Sequence, residues 1–295
     1  RRLAQARFEQ VGCTASCPLS ASAGRALEET RAVPEHAATY ALPRELVERH
    51  DIPHYGFQGL AHESMLRRCS ELSGVPAAQA SIITLQLGGG CSVAANRQGR
   101  SIDTSMGFPP LEGLMIGARA GDIDAGVLLL LLRNENLSVA AREDLLNRQC
   151  GLLGVSGRSA DMRKLLATAP GNGRAVLAVE MFCYRAGKYV GAFLAALDGA
   201  HAVVFGGGIG ENSPAIRARI CEKRGWFGLR LDDARNEAAV GHEACITDNA
   251  ARLHAWVVAV NEASLVAAKT AAVVSSDVQH RTEAEVSAWA TGVKL

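Results

Sequence analysis

Ser81-Ile82-Ile83-Thr84-Leu85-Gln86-Leu87 runs without a break into Gly88-Gly89-Gly90. A run rich in Ile, Leu and Thr has the composition of a strand, and consecutive glycines end it because glycine loses most freedom in regular structure. Cys91-Ser92-Val93-Ala94-Ala95 follows and reaches a charged turn near Arg97-Gln98-Gly99-Arg100, so the simplest reading is two short strands joined through a glycine turn. The same order returns downstream. Ala202-Val203-Val204-Phe205 meets Gly206-Gly207-Gly208, and Ile209-Gly210-Glu211-Asn212-Ser213 leads into a helix over Pro214–Arg219. Another strand is expected over Ala255–Val260, followed by Asn261-Glu262 and a helix. Strands alternating with helices give an α/β fold class.

Working outward, Gly59–Gly74 reads as a helix with Met65, Leu66 and Leu72 as its apolar positions. Ala41–His50 is a short helix ended by a turn at Asp51-Ile52-Pro53. Asp122–Leu132 opens a helix with Asp122 and Asp124 near its positive end. Helices are also expected over Ser138–Gln149, Met162–Ala167 and Arg174–Asp198, the last long and amphipathic. Residues 1–31 carry no helical or strand period, Pro18–Gly24 reads as loop, and the tail after Ser275 is polar.

The composition is that of a globular protein of one large or two ordinary domains: 295 residues, 48% apolar and 21% charged. A formal charge of +1 supplies no long-range attraction for nucleic acid or an anionic membrane, so an anionic partner has to be held by a shaped site. The eight cysteines (Cys13, Cys17, Cys69, Cys91, Cys150, Cys183, Cys221 and Cys245) form no CxxC pair. Reduced thiols in a cytoplasmic protein account for them better than a metal site or a disulfide framework. The longest apolar run, Val127–Leu132, falls far short of the roughly 20 residues that span a bilayer. No apolar segment follows Arg1-Arg2-Leu3-Ala4-Gln5, so no signal peptide is expected, and the missing initiator Met suggests that the natural start lies elsewhere.

Glycine lets backbone approach a phosphate closely and turn its N–H groups toward it, although tight turns need glycine for structural reasons too. Two such clusters in one chain favour the phosphate reading. A P-loop is excluded because GxxxxGK[ST] does not occur, and Gly206-Gly207-Gly208-Ile209-Gly210-Glu211 lacks the third glycine of a dinucleotide loop. The densest stretch is DTSMGFPPLEGLMIGARAGDID, Asp103 to Asp124, whose glycines, charges and apolar residues are interleaved too finely for a regular element. Such a loop lines a site. Within it Arg119 either presents its guanidinium fork to phosphoryl oxygens or pairs structurally with Asp122 or Asp124.

That stretch resembles the signature of the acetate kinase family, usually DTSMGxTPLEGLxMGTRSGDID. Further agreement comes from Tyr40–Pro43, Tyr55–His62, Leu87–Gly90, Ser159–Arg163, Gly207–Asn212 and Asn261-Glu262, in family order from about Pro34 to about Ala268. The resemblance implies an actin/hexokinase/acetate kinase-type (ribonuclease H-like) fold with the N-terminal domain largely missing. It divides the chain into a non-matching segment (1–31, frameshifted or disordered), a remnant of the N-terminal domain (32–80), a nucleotide-binding and dimerisation domain (81–275) and a polar tail (276–295). It implies ATP and Mg2+, a small carboxylate such as acetate or propionate, a homodimer, and reversible transfer giving ADP and acetyl phosphate.

By position, the resemblance makes Arg119 and Gln58 catalytic and puts Phe57 and Pro110 against the acetate methyl group. Gln86, Leu87, Gly88, Gly89 and Gly90 would contact ATP phosphates. Asp161, Met162 and Arg163 would surround the adenosine together with Gly208, Ile209, Gly210, Glu211 and Asn212, and Glu262 would help hold magnesium. A carboxylate is already a nucleophile at neutral pH, so this chemistry needs cations and positioning more than a base.

Three departures from the family pattern stand out. The family's opening strand and Asn/Ser-rich phosphate loop have no counterpart, and its functional aspartate falls at Ala26. The usual FHGTSH reads Phe57-Gln58-Gly59-Leu60-Ala61-His62, so an uncharged amide replaces the first histidine, while His62 is kept and reads more readily as a satisfied structural histidine than as a functional one. The usual HLGNG reads Gln86-Leu87-Gly88-Gly89-Gly90. The expectation is therefore an acetate kinase lineage with this chain incomplete and impaired. The alternatives are a non-catalytic nucleotide-binding or dimerising remnant, and a kinase for propionate or butyrate.

Overall fold

The computed structural model describes residues 55–134 and 137–275. The expected helix over Ala41–His50, the turn at Asp51–Pro53, the segment 1–31 with Ala26, and the tail 276–295 lie outside the described residues.

Among the described residues the strands are β1 (Ser81–Leu87), β2 (Cys91–Arg97), β3 (Arg100–Thr104), β4 (Ala202–Gly206), β5 (Ala244–Cys245) and β6 (His254–Val257). They form one sheet ordered β3-β2-β1-β4-β6-β5. β1 pairs antiparallel with β2 across the expected glycine turn, and β2 turns again at Gln98-Gly99 into β3, a strand the composition did not announce. β1 and β4 run parallel, as do β4 and β6. The helices are α1 (Gly59–Ser73), α2 (Ala125–Asn134), α3 (Val139–Asp144), α4 (Gly151–Ser156), α5 (Met162–Thr168), α6 (Gly173–Leu197), α7 (Gly207–Asn212), α8 (Pro214–Cys221) and α9 (Asp233–Ala238). A tenth, α10, covers residues 262–275.

The period-two alternation of β1 explains how the sheet is covered on both sides. Ile83, Leu85 and Leu87 face the larger core, where α6 contributes Val179, Phe182, Val190 and Phe193 at helical spacing. Ile82 faces the smaller core with Met65, Leu66 and Cys69 of α1. Each such fully buried side chain contributes about 1.5–3 kcal/mol. α6 begins where the Asn172 side chain accepts the Ala175 N–H at 3.0 Å and ends at Asp198 in the left-handed conformation.

Several expected boundaries move for local reasons. The helix expected from Asp122 starts at Ala125, because Asp124 folds back to accept the Gly126 N–H at 2.7 Å. The helix expected over Ser138–Gln149 is capped by the Ser138 side chain, which accepts the Ala141 N–H, then widens into a π-helical turn over Leu145–Gln149. The last strand ends at Val257 rather than Val260. Beyond it the N–H groups of Ala259 and Val260 go to the side chains of Glu243 and Glu211, both at 3.3 Å. The second glycine cluster forms the first turn of α7 rather than a loop before the helix.

The six cysteines among the described residues are unpaired, four of them buried. Burial pushes the thiols of Cys69, Cys91, Cys183 and Cys221 up to about 12, which keeps them as unreactive core residues. No helix of the described residues is long and apolar enough to cross a membrane.

Candidate functional site

The parallel pairing of β1 and β4 sets Gln86 opposite Gly206, so both glycine clusters leave the sheet at the same edge. Ligands of open α/β sheets bind at this edge, beyond the carboxyl ends of parallel strands. A Cβ on Gly88 would stand 3.7 Å from the Gly208 nitrogen. At Gly207, with φ +75°, a Cβ would stand only 2.7 Å from the Leu87 oxygen and 2.9 Å from Gln86 Nε2. Only glycine lets the two segments touch there. Cβ positions at Gly89 and Gly208 meet open space, so backbone at both points is free to face a ligand.

The second segment is held from behind. The Glu211 carboxylate accepts the Gly207 N–H at 2.9 Å and the Val260 N–H at 3.3 Å, tying α7 to the chain leaving β6. Asn212 donates to the Gly208 oxygen at 3.1 Å, and Ile209 packs on the core. Arg217 is fully buried and donates to the oxygens of Gly210 (2.8 Å), Glu211 (3.0 Å) and Ala239 (3.1 Å) and to both oxygens of Asn236. The stretch Gly208–Asn212 thus offers backbone to a ligand, while its polar side chains bind the protein itself.

Gln58 caps α1 in the left-handed conformation, φ 60° and ψ 23°, which costs a non-glycine residue on the order of 1 kcal/mol and is commonly held at functional sites. Its amide nitrogen lies 3.1 Å from where a Cβ on Gly90 would be, placing Gln58 against the first glycine cluster. Ser92 Oγ donates to Gln58 Oε1 at 2.5 Å and contacts His62 Nε2 at 2.8 Å. The other ring nitrogen, Nδ1, is 2.8 Å from Thr84 Oγ1, which accepts from Asn96 Nδ2 at 3.0 Å. His62 is buried, and burial pushes its pKa down to about 3, so the ring is neutral. Gln86 Oε1 is buried without a hydrogen-bond partner among the described residues.

In the Asp103–Asp124 loop the structural alternative, Arg119 paired with Asp122 or Asp124, does not form. Arg119 donates to the Pro110 oxygen at 3.1 Å, bringing two of the singled-out residues together. Asp122 instead accepts the Gly113 N–H at 2.8 Å, contacts Tyr189 Oη through both oxygens at 3.1 Å, and pairs with Arg185 at 3.6 Å. Tyr189 thereby fixes the loop to α6. Burial, reinforced by Asp122 and Asp103, raises the Glu112 carboxyl above its usual range, and burial raises Asp103 likewise. Phe57 packs edge-on against Tyr55, ring centroids 5.6 Å apart, and against the larger core.

Asp161 caps α5 by accepting the Arg163 N–H at 2.9 Å and pairs with the Arg163 guanidinium at 2.8 Å, which holds its carboxyl down at about 2. Met162 is in the core, and Ala160, just before them, backs Gly117 of the loop. Glu262 is exposed at the start of α10, where Asn261 accepts the Ser264 N–H at 2.9 Å and its own N–H goes to Ser64 at 3.0 Å. Among the described residues no group of three His, Cys, Asp or Glu side chains could hold a metal. One exposed carboxylate fits a magnesium ion carried by nucleotide phosphates, and does not fit an all-protein cage.

Sequence reading missed Thr84, Ser92, Asn96, Tyr189 and Arg217. For Thr84 a signal existed: a hydroxyl sits on the same strand face as Ile82, where burial demands a partner.

The profile of the Acetokinase family matches residues 28–268, beginning a little before the expected Pro34. An acetate kinase of Solibacter usitatus is 48% identical over 240 residues, covering 81% of this chain and 58% of that protein. The crystal structure of Porphyromonas gingivalis acetate kinase superposes with a TM-score of 0.78 at 39% identity, covering 80% of this chain and 59% of the other. A propionate kinase from Francisella tularensis superposes with a TM-score of 0.70 at 37% identity, covering 76% and 56%. The chain therefore spans less than two thirds of the length of these relatives.

Proposed function

Because this chain belongs to the acetokinase family, with the α/β actin/hexokinase-type fold of acetate kinases, we propose that it serves as the nucleotide-binding part of a phosphotransferase acting on a small carboxylate. The observation that carries this reading is the contact of the two glycine segments, Gly88 against Gly208, at the carboxyl ends of β1 and β4. In the proposed reaction a carboxylate oxygen of acetate attacks the γ-phosphorus of ATP. The bond to the bridging oxygen breaks, that oxygen keeps the electron pair as ADP leaves, and acetyl phosphate forms without any proton transfer.

Each singled-out residue then has a part. The backbone of Gln86–Gly90 receives phosphates, and Gly208–Asn212 with Asp161–Arg163 borders the adenosine. Arg119, which its bond to the Pro110 oxygen leaves with free guanidinium N–H groups, offsets charge on the moving phosphoryl group. The Gln58 amide donates to the same group without adding charge, and Phe57 and Pro110 border the methyl. Glu262 would help hold magnesium, which when bound supplies neutralisation of phosphate charge. A homodimer is consistent with the exposed Leu129, Leu130, Leu132 and Val139 around α2 and α3. A cytoplasmic setting is consistent with the unpaired cysteines.

The test traps acyl phosphate as the hydroxamate after incubating the chain with ATP, magnesium and acetate. Product above background supports the kinase. ATP binding without product supports a nucleotide-binding module, and no binding removes both. Propionate as acceptor is a second reading, favoured by the likeness to the propionate kinase. One methylene is worth only about 1–3 kcal/mol of discrimination, so both acids belong in the assay.

A further inference from the structure

The polar groups between α1 and the sheet form one chain whose direction can be worked out. Asn96 Nδ2 donates to the backbone oxygens of Ile82 (3.1 Å) and Ala94 (3.3 Å). Carbonyls only accept, so this fixes which end of the amide carries hydrogen. Its two N–H groups serve three oxygens, one of them shared, and the contact with Thr84 Oγ1 can only be a donation because the amide nitrogen does not accept. Were the His62 proton on Nδ1, it too would donate to Thr84 Oγ1, leaving the threonine hydrogen buried with no acceptor. A buried hydroxyl in that state costs about 1–3 kcal/mol. Every group is satisfied only if Thr84 donates to Nδ1 and the ring proton sits on Nε2. Ser92 Oγ then accepts from Nε2 and gives its own hydrogen to Gln58 Oε1, which turns the Gln58 NH2 toward Gly90.

We propose that His62, held as its Nε2–H tautomer, is a positioning residue that acts through Ser92 to preset the Gln58 amide as a hydrogen donor facing the glycine loop, ready for an anionic phosphoryl group. The purpose given to Gln58 rests on the nucleotide reading above; the direction of the chain does not. Two ring nitrogens bonded to hydroxyls and a pKa near 3 keep the imidazole from adding charge, so its effect is orientation. The left-handed backbone at Gln58 supports the same role, since a strained cap holds the amide base in place as the relay holds its tip.

Long-range proton–nitrogen NMR spectra of the unmodified chain at neutral pH read the tautomer directly. His62 is expected to show a protonated Nε2 and a bare Nδ1, and the reverse pattern or a doubly protonated ring overturns the proposal. Adding ATP is then expected to shift the Gln58 side-chain NH2 signals together with the backbone amides of Gly89 and Gly208. In Ser92→Ala those backbone amides still shift, while the Gln58 response falls at least several-fold. If ATP moves the glycine amides but never the Gln58 NH2, the proposal is wrong and the nucleotide reading stands. If ATP moves neither cluster, the nucleotide reading falls and takes the purpose of Gln58 with it. Should Ser92→Ala fail to fold, the tautomer and the ATP response of the unmodified chain still decide.

Discussion

Gly207 rests on the backbone of Leu87: a Cβ there would lie 2.7 Å from the Leu87 oxygen, and its φ of +75° is one that other residues rarely adopt. Gly207→Ala is therefore expected to cost about 2 kcal/mol or more and to separate the two glycine segments. Gly88→Ala makes only ordinary contacts at 3.7 Å, so its stability should stay within about 0.5 kcal/mol. Urea denaturation of both variants checks the contrast, and ATP titration should find Gly207→Ala the weaker binder.

Arg217 donates to five oxygens around α7 and α9 and forms no direct ion pair with a carboxylate among the described residues. Arg217→Met strands those acceptors and should cost about 3 kcal/mol or more. Arg217→Lys keeps the charge but cannot reproduce the planar fork, so it should rescue little. Chemical denaturation of the two variants side by side tests this, and near-complete recovery with lysine would show that charge matters more than geometry.

His62 makes stability depend on pH in a defined direction. Its folded pKa of about 3 lies below the usual 6.5, so as pH falls the unfolded chain takes up a proton that the native ring refuses. Its contribution is complete above about pH 6.5 and declines toward pH 3, at up to about 1.4 kcal/mol per pH unit. His62→Asn should flatten that slope. Denaturation midpoints followed from neutral to mildly acidic buffer, in parent and variant, measure the difference.

The Arg119 side chain has one hydrogen bond, to the Pro110 oxygen, and no ion pair among the described residues. Arg119→Ala should change stability by about 1 kcal/mol or less. If the chain turns over, the same change should lower hydroxamate formation about a hundredfold or more, the scale of losing one charge-stabilising donor. Thermal melting and the trapping assay, run on one preparation, separate the two effects.

Much of this architecture was legible because it rests on local chemistry. The β-branched runs at Ile82-Ile83 and Val203-Val204, the glycines that end them and the period of α6 announce their own structure. The strand Arg100–Thr104 did not, since its charges and exposed positions belong to a sheet edge, where pairing with β2 rather than composition makes the strand. Arg119 stood out, but its partner did not: spacing favoured the nearby aspartates, while the fold carries Asp122 to Gly113 and Tyr189. Nor could the role of Arg217 be read, because its acceptors are backbone oxygens, which every residue possesses.

The parallel neighbours β1 and β4 are separated in sequence by β2, β3 and the helices α2 to α6, whereas β1, β2 and β3 follow one another through tight turns. Closing the long loop costs entropy that the short ones do not. During folding the three-stranded meander is thus free to form early, while the β1–β4 seam waits for the intervening helices. The apposition of Gly88 and Gly208 exists only once that seam has closed, so on the proposed reading a newly made chain gains its nucleotide-facing edge late, and a nucleotide that recognises the edge would select molecules in which β1 and β4 have already paired.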